Sequence, residues 1–185
     1  MASESFRARL ARDPRYYDPQ DFERDGDNGR FGHIDGTKIG QMWPSRRELS
    51  EAGVHIPRKA GISGGPHTGS SSVVVSGAYR DDIDYGDVLY YTGAGGRDED
   101  DMYGGPAEQS KDQDFHHPHN HALRASFERN RPVRVIRAVI HGGGKMYRYD
   151  GLYDVKSADL VKGESGYAIC RFKLVRRKDQ GDGGQ

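Results

Sequence analysis

The feature that most constrains this chain is a set of short β-branched and aromatic runs cut apart by glycine. Val73-Val74-Val75, Val88-Leu89-Tyr90-Tyr91-Thr92, Val133 to Ile140 (VRVIRAVI) and Tyr167 to Val175 (YAICRFKLV) each have the length and composition of a strand. In the last run Ala168, Cys170, Phe172 and Leu174 alternate with polar Arg171 and Lys173, which marks a half-buried strand. Residues 61–72 are Gly, Ser, Pro and His for the most part and read as a long loop. Two short helices are expected. Ser45 with Glu48 fits a capping box before a helix that Gly53 stops, and Asn120 can cap a helix running to about Arg129. The expected fold is α+β and mainly β: a curved sheet or partly closed barrel with a few short flanking helices.

A chain of 185 residues suits one domain, taken as residues 31–178 between an N-terminal arm (1–30) and a flexible tail (179–185). No apolar run is long enough to span a bilayer, so no membrane role is expected. The single cysteine, Cys170, excludes an intrachain disulfide and reads as a small core residue. Net charge is zero, but it is unevenly spread. Arg80 to Asp114 holds three Lys/Arg against eleven Asp/Glu, and Arg131 to Lys178 holds twelve against four. A neutral total can therefore hide a basic face able to attract phosphate.

Chemistry concentrates between Ser76 and Asp98. Tyr79 and Tyr91 stand at two strand ends, an acidic loop containing Asp82 lies between them, and Gly93, Gly95 and Gly96 follow. Two aromatic rings can sandwich a planar ligand, a carboxylate can accept from an amino group, and glycine lets a ligand come close. That set suits a nucleobase. Taken alone it also suits tyrosines packed in a sheet beside a solvated hairpin.

The order of motifs separates these readings. Phe31-Gly32-His33-Ile34-Asp35-Gly36 is followed by Leu49-Ser50-Glu51-Ala52-Gly53-Val54-His55. The tyrosine pair, Thr92-Gly93-Ala94-Gly95-Gly96-Arg97-Asp98, Ala107-Glu108-Gln109-Ser110 and Tyr149-Asp150-Gly151 come after. This succession, from about Phe31 to Lys178, resembles the SRA domain, also called the YDG domain. The resemblance implies a PUA-like, saddle-shaped barrel that binds 5-methylcytosine in double-stranded DNA by turning the base out of the helix. It implies that Tyr79 and Tyr91 sandwich that base, that Asp82 accepts from its amino edge, and that Thr92 and Gly93 form the adjoining wall. Ala78 stands where a glycine is more usual.

The resemblance also sets two groove loops. Arg58 and Lys59 occupy the minor-groove position, where a lysine can fill the gap left by a flipped base or grip phosphate. The loop 99–105 is acidic, with Met102 and Tyr103 as its candidate wedge. It lacks a basic reader of the orphaned guanine, so fully methylated and non-CpG sites are expected to bind as well as hemimethylated ones. Phosphate contacts are expected from Arg97, Arg134 and Arg137. No cofactor, metal or catalysis is expected. The cluster His116, His117, His119 and His121 reads as a surface loop broken by Pro118, and the acidic run 98–101 as solvated. The expected partners are methylated duplex DNA and possible chromatin proteins, bound by a monomer in the nucleus (the cytoplasm if the source is bacterial). Alternatives are the recognition module of a modification-dependent endonuclease, a 5-hydroxymethylcytosine reader, and a scaffold that has lost DNA binding.

Overall fold

A computed structural model of the chain describes residues 30–97 and 108–180. Its elements are β1 (Met42–Trp43), α1 (Arg46–Glu51), β2 (Ile62–Gly65), β3 (Gly69–Val75), β4 (Ile83–Asp84), β5 (Val88–Thr92), α2 (Pro118–Arg129), β6 (Val133–His141), β7 (Gly144–Lys162) and β8 (Ala168–Arg176). The strands form one sheet in the order β2-β3-β6-β7-β8-β5-β4, with β1 added against β7. The path is open among the described residues. The class is the expected mainly-β α+β fold, but the sheet does not close into a barrel. Register shifts at Ser63/Gly64, Arg134/Ile136 and Val155/Ser157 interrupt the ladders. Irregularities of this kind bend and twist a sheet locally.

The valine run explains the layering. Every residue of β3 is buried. Val73 and Val75 face one core with Leu89, Leu123 of α2, Val135 and Phe172. Val74 faces a second core with Leu49 of α1, Trp43, Ile136 and Tyr149. A strand covered on both faces reads as a continuous apolar run rather than an alternating one. Cys170 lies fully buried in the first core, and burial pushes its thiol up to about 12.

Several boundaries differ from the sequence reading. The 61–72 stretch is not a loop. It supplies β2 and the start of β3, and Gly64 (φ 115°), at the register shift in β2, and Gly69 (φ 107°), which opens β3, take backbone conformations that other residues rarely adopt. Ser70 N and O both bond Ser126 Oγ of α2, which satisfies a polar stretch the hydrophobic pattern could not place. Pro118 does not break the histidine segment. It opens α2 at the first turn, where its missing N–H is harmless, and His117 caps the helix. Asn120 is therefore buried inside the helix. The expected N-cap at Ser45 is present, since Ser45 Oγ accepts from Glu48 N, but the Glu48 carboxylate accepts from the Ser45 hydroxyl rather than from its backbone N–H, so the box is only half made. Packing continues beyond Lys178, because the Gln180 side chain bonds Leu152 N and O. No helix among the described residues is long and apolar enough to cross a membrane.

The Tyr149-Asp150-Gly151 triplet lies in β7 as a brace. Tyr149 is fully buried with its hydroxyl 2.6 Å from His33 Nδ1. Asp150 pairs with both Arg137 and Arg148.

Candidate base-binding site

The site forms where β3 ends and the chain turns back toward β5. Ile83 pairs with Tyr90 and Asp84 with Leu89, so extending that register sets Asp82 beside Tyr91. A turn from Tyr79 to Asp82 is closed by the Asp82 N–H to the Tyr79 carbonyl at 3.2 Å. The next cavity wall includes Ala78, Tyr79, Thr92 and Arg97, with Gln109 and Tyr167 contributed from the 108–113 segment and the β7–β8 turn. Its volume is about 680 Å³.

Asp82 is the electrostatic centre. Its Oδ1 accepts from Thr92 N at 2.7 Å, while Oδ2 and Thr92 Oγ1 are buried with no hydrogen-bond partner among the described residues. Burial raises the carboxyl to about 6, against the opposing pull of the nearby Thr92 hydroxyl and backbone N–H. A buried polar atom without a partner costs on the order of 1–3 kcal/mol, and the Thr92 hydroxyl, although near enough to pull this carboxyl down, does not reach hydrogen-bond geometry with Oδ2.

The aromatic pair is asymmetric. Tyr79 is half-buried on the cavity wall, and the Arg97 guanidinium lies 4.4 Å from its ring centroid. Tyr91 is 3% exposed and packs in the first core rather than on the wall. Its phenol is held well above the ordinary range, by burial first and then by the nearby Asp82 and Tyr79. Its hydroxyl donates to Gly61 O and Val74 O at 3.2 and 3.3 Å. Tyr79, Asp82 and Tyr91 thus converge, but the free chain does not offer two open ring faces.

Three expectations need correction. Gly93 is not free to meet a base: its N–H bonds Cys170 O, its carbonyl accepts from Gln113 Nε2, and an added Cβ would strike Asn120 and Cys170. Arg134 is 1% exposed and donates to the carbonyls of Val54, Arg30 and Gly32, so it cannot reach phosphate. Arg137 is 9% exposed and forks onto Asp84 at 2.7 and 2.8 Å, with Asp150, Tyr153 and Gly86 taking its other donors. Both arginines sit on a strand covered on two sides and hold the fold together. Arg58 and Lys59 are exposed on the loop before β2, and Arg97 stands at the cavity. Met102 and Tyr103 lie outside the described residues.

Sequence reading missed the amide frame behind the site. Asn120 mirrors the Ala94 backbone, accepting from its N–H at 2.7 Å and donating to its carbonyl at 2.9 Å. Gln113 donates to Gly93 O and Gly95 O and accepts from Cys170 N. Gln113 gave no periodic signal that would single it out, and Asn120 was read as a helix cap although it lies within the first turn of α2. Among the described residues no group of three or more His, Cys, Asp or Glu is arranged to hold a metal ion.

The family model of the SAD/SRA domain matches residues 30–180. A UHRF1-like protein of Cryptococcus neoformans is 45% identical over 161 residues, covering 82% of this chain and 47% of that protein. The E3 ubiquitin-protein ligase UHRF1 of Rattus norvegicus is 39% identical, with 80% and 21% covered. The chain therefore spans less than half the length of these relatives. Among solved structures, the modification-dependent TagI restriction endonuclease superposes with a TM-score of 0.73 at 39% identity, covering 81% of this chain and 53% of the other. The SUVH5 SRA bound to fully hydroxymethylated CG DNA gives 0.68 at 35% identity, with 82% and 97% covered. The chain belongs to the SAD/SRA domain family.

Proposed function

We propose that this chain reads 5-methylcytosine in double-stranded DNA by taking the base out of the duplex, and performs no chemistry on it. The observation that carries the reading is the unpartnered pair Asp82 Oδ2 and Thr92 Oγ1 behind a cavity walled by Tyr79. The amino edge of a cytosine supplies the donor that Asp82 lacks. Thymine presents a carbonyl there instead, leaving the carboxylate unpaired and facing a second acceptor. The base takes the place of the Arg97 guanidinium on Tyr79, which frees Arg97 for phosphate. Tyr91 floors the seat. SUVH5 SRA structures with methylated and hydroxymethylated CG DNA support the assignment by homology. The setting proposed is the nucleus, with a monomer bound to chromatin.

The energies are compatible. Extruding a base costs a few kcal/mol, and stacking on an aromatic returns roughly 1–3 kcal/mol. Burying one methyl contributes about 1 kcal/mol, so methyl preference should be near tenfold or less. Fluorescence titration of duplexes with unmodified, hemimethylated, fully methylated and hydroxymethylated cytosine tests this. Tighter binding of the modified duplexes is expected, with little difference between hemimethylated and fully methylated sites. Equal affinity for all of them would sink methyl reading. The likeness to TagI favours a second reading, the recognition part of a modification-dependent endonuclease. Cutting of methylated plasmid by the whole gene product with Mg²⁺ would decide for it.

A further inference from the structure

The loop between α1 and β2 bears the exposed Arg58 and Lys59, yet its carbonyls are tied down from several sides. Arg46 Nη2 donates to Pro57 O at 2.8 Å and to Ala60 O at 2.5 Å, and Nη1 reaches Lys59 O at 3.5 Å. His55 Nε2 meets the same Ala60 oxygen at 2.9 Å, and Ser50 Oγ donates to Ile56 O. Tyr91 OH and the Val74 N–H hold the Gly61 carbonyl. Arg46 itself lies 6.0 Å from the Tyr147 ring centroid. A guanidinium can collect several carbonyls in one plane, which an ammonium on a flexible stem does poorly. The clamp also runs to the base seat, because an added Cβ on Gly61 would lie 2.9 Å from the Tyr91 hydroxyl.

We infer that Arg46 is a positioning residue for DNA binding: it holds the 57–60 loop so that Lys59 meets the duplex without first being ordered. Fixing rotamer-rich side chains and loops at the moment of binding weakens association, and fixing them beforehand avoids that loss. Arg46 acts through the loop carbonyls, not through phosphate. The inference rests on the methylcytosine reading above and names a residue that reading does not use.

A double-mutant cycle on the full chain tests it, using a methylated duplex at several salt concentrations. Lys59→Ala should weaken binding roughly tenfold and lower the salt slope by about 1. Arg46→Ala should weaken binding by up to the same factor while keeping the wild-type slope, because the loop still meets phosphate once ordered, and the double variant should be no worse than Lys59→Ala alone. Arg46→Lys keeps the charge but not the fork, and should bind as poorly as Arg46→Ala. It also serves as the deciding variant if Arg46→Ala does not fold. Additive losses, undiminished binding by Arg46→Ala, or wild-type binding by Arg46→Lys would each overturn the inference. A wild-type chain that ignores methylation would sink the proposed function, and that result is read from the wild-type titration alone.

Discussion

Replacing Asp82 with Asn should make the protein more stable at neutral pH while damaging its base recognition. The folded carboxyl titrates at about 6, raised from an ordinary 3.8 chiefly by burial. The native state therefore keeps a proton over a range in which the unfolded chain has lost it. Stability attributable to this group is full below pH 4, falls as pH rises toward 6, and stays low above. A shift of about 2 units corresponds to about 3 kcal/mol. Asn keeps the acceptor for Thr92 N and puts a neutral amide next to the orphaned Thr92 Oγ1. Urea unfolding of wild type and Asp82→Asn from pH 4 to pH 8 measures the difference. The variant's advantage should grow from near zero at pH 4 to as much as 3 kcal/mol at pH 7, roughly. In DNA titrations the same variant should lose discrimination between methylcytosine and thymine, because an amide can donate to thymine O4. A stability difference that does not change with pH would refute the argument that burial of this carboxylate is the cost.

Tyr79→Ala should weaken binding to methylated duplex by roughly tenfold or more, the loss of about 1–3 kcal/mol of stacking, with little change in melting temperature because the ring is half-buried. Arg134→Ala should lower folding stability on the order of 3 kcal/mol by stranding the carbonyls of Val54, Arg30 and Gly32, as read by urea unfolding; the salt slope of DNA binding for the folded fraction should not change. Arg137→Ala should release the β4 hairpin from β6, seen as faster amide exchange over 83–90 with slower changes elsewhere.

What could be read from sequence follows from which forces leave a local pattern. The strands at 88–92, 133–141 and 168–176 were visible as runs of β-branched and aromatic residues, the last also by its alternation. The N-cap at Ser45 was visible because its two bonds are local. The strand β2 and the start of β3 were not, because their polar residues are satisfied by Ser126 from α2, far away in sequence. Much of the 19-residue β7 also escaped, since charged residues break its pattern while its partners on both sides secure it. At the site, Ala78, Tyr79, Thr92 and Arg97 lie on the cavity wall and Asp82 sits just behind it. Gly93 failed as a wall residue because its backbone is already engaged, a fact of packing that a glycine-rich motif does not reveal.

The charge distribution carries the same lesson about physical context. The segment from Arg131 to Lys178 has a large excess of basic residues, which suggested a broad phosphate-binding face. Four of those arginines are already engaged within the fold, two of them buried. Arg134 serves carbonyls, Arg137 and Arg148 share Asp150, and Arg177 pairs with Asp154. Alternation hid this, since Arg134 between Val133 and Val135 looks like the solvent side of a half-buried strand. Val54 and the residues at 30–32 cover that side, and a guanidinium is the group best able to satisfy several stranded carbonyls at once. Of the cations the proposed reading uses, Arg97 stands on Tyr79 at the cavity and Arg58 and Lys59 lie on a loop anchored to Tyr91 through Gly61, while Lys145, Lys156 and Lys162 of the basic segment stay exposed elsewhere.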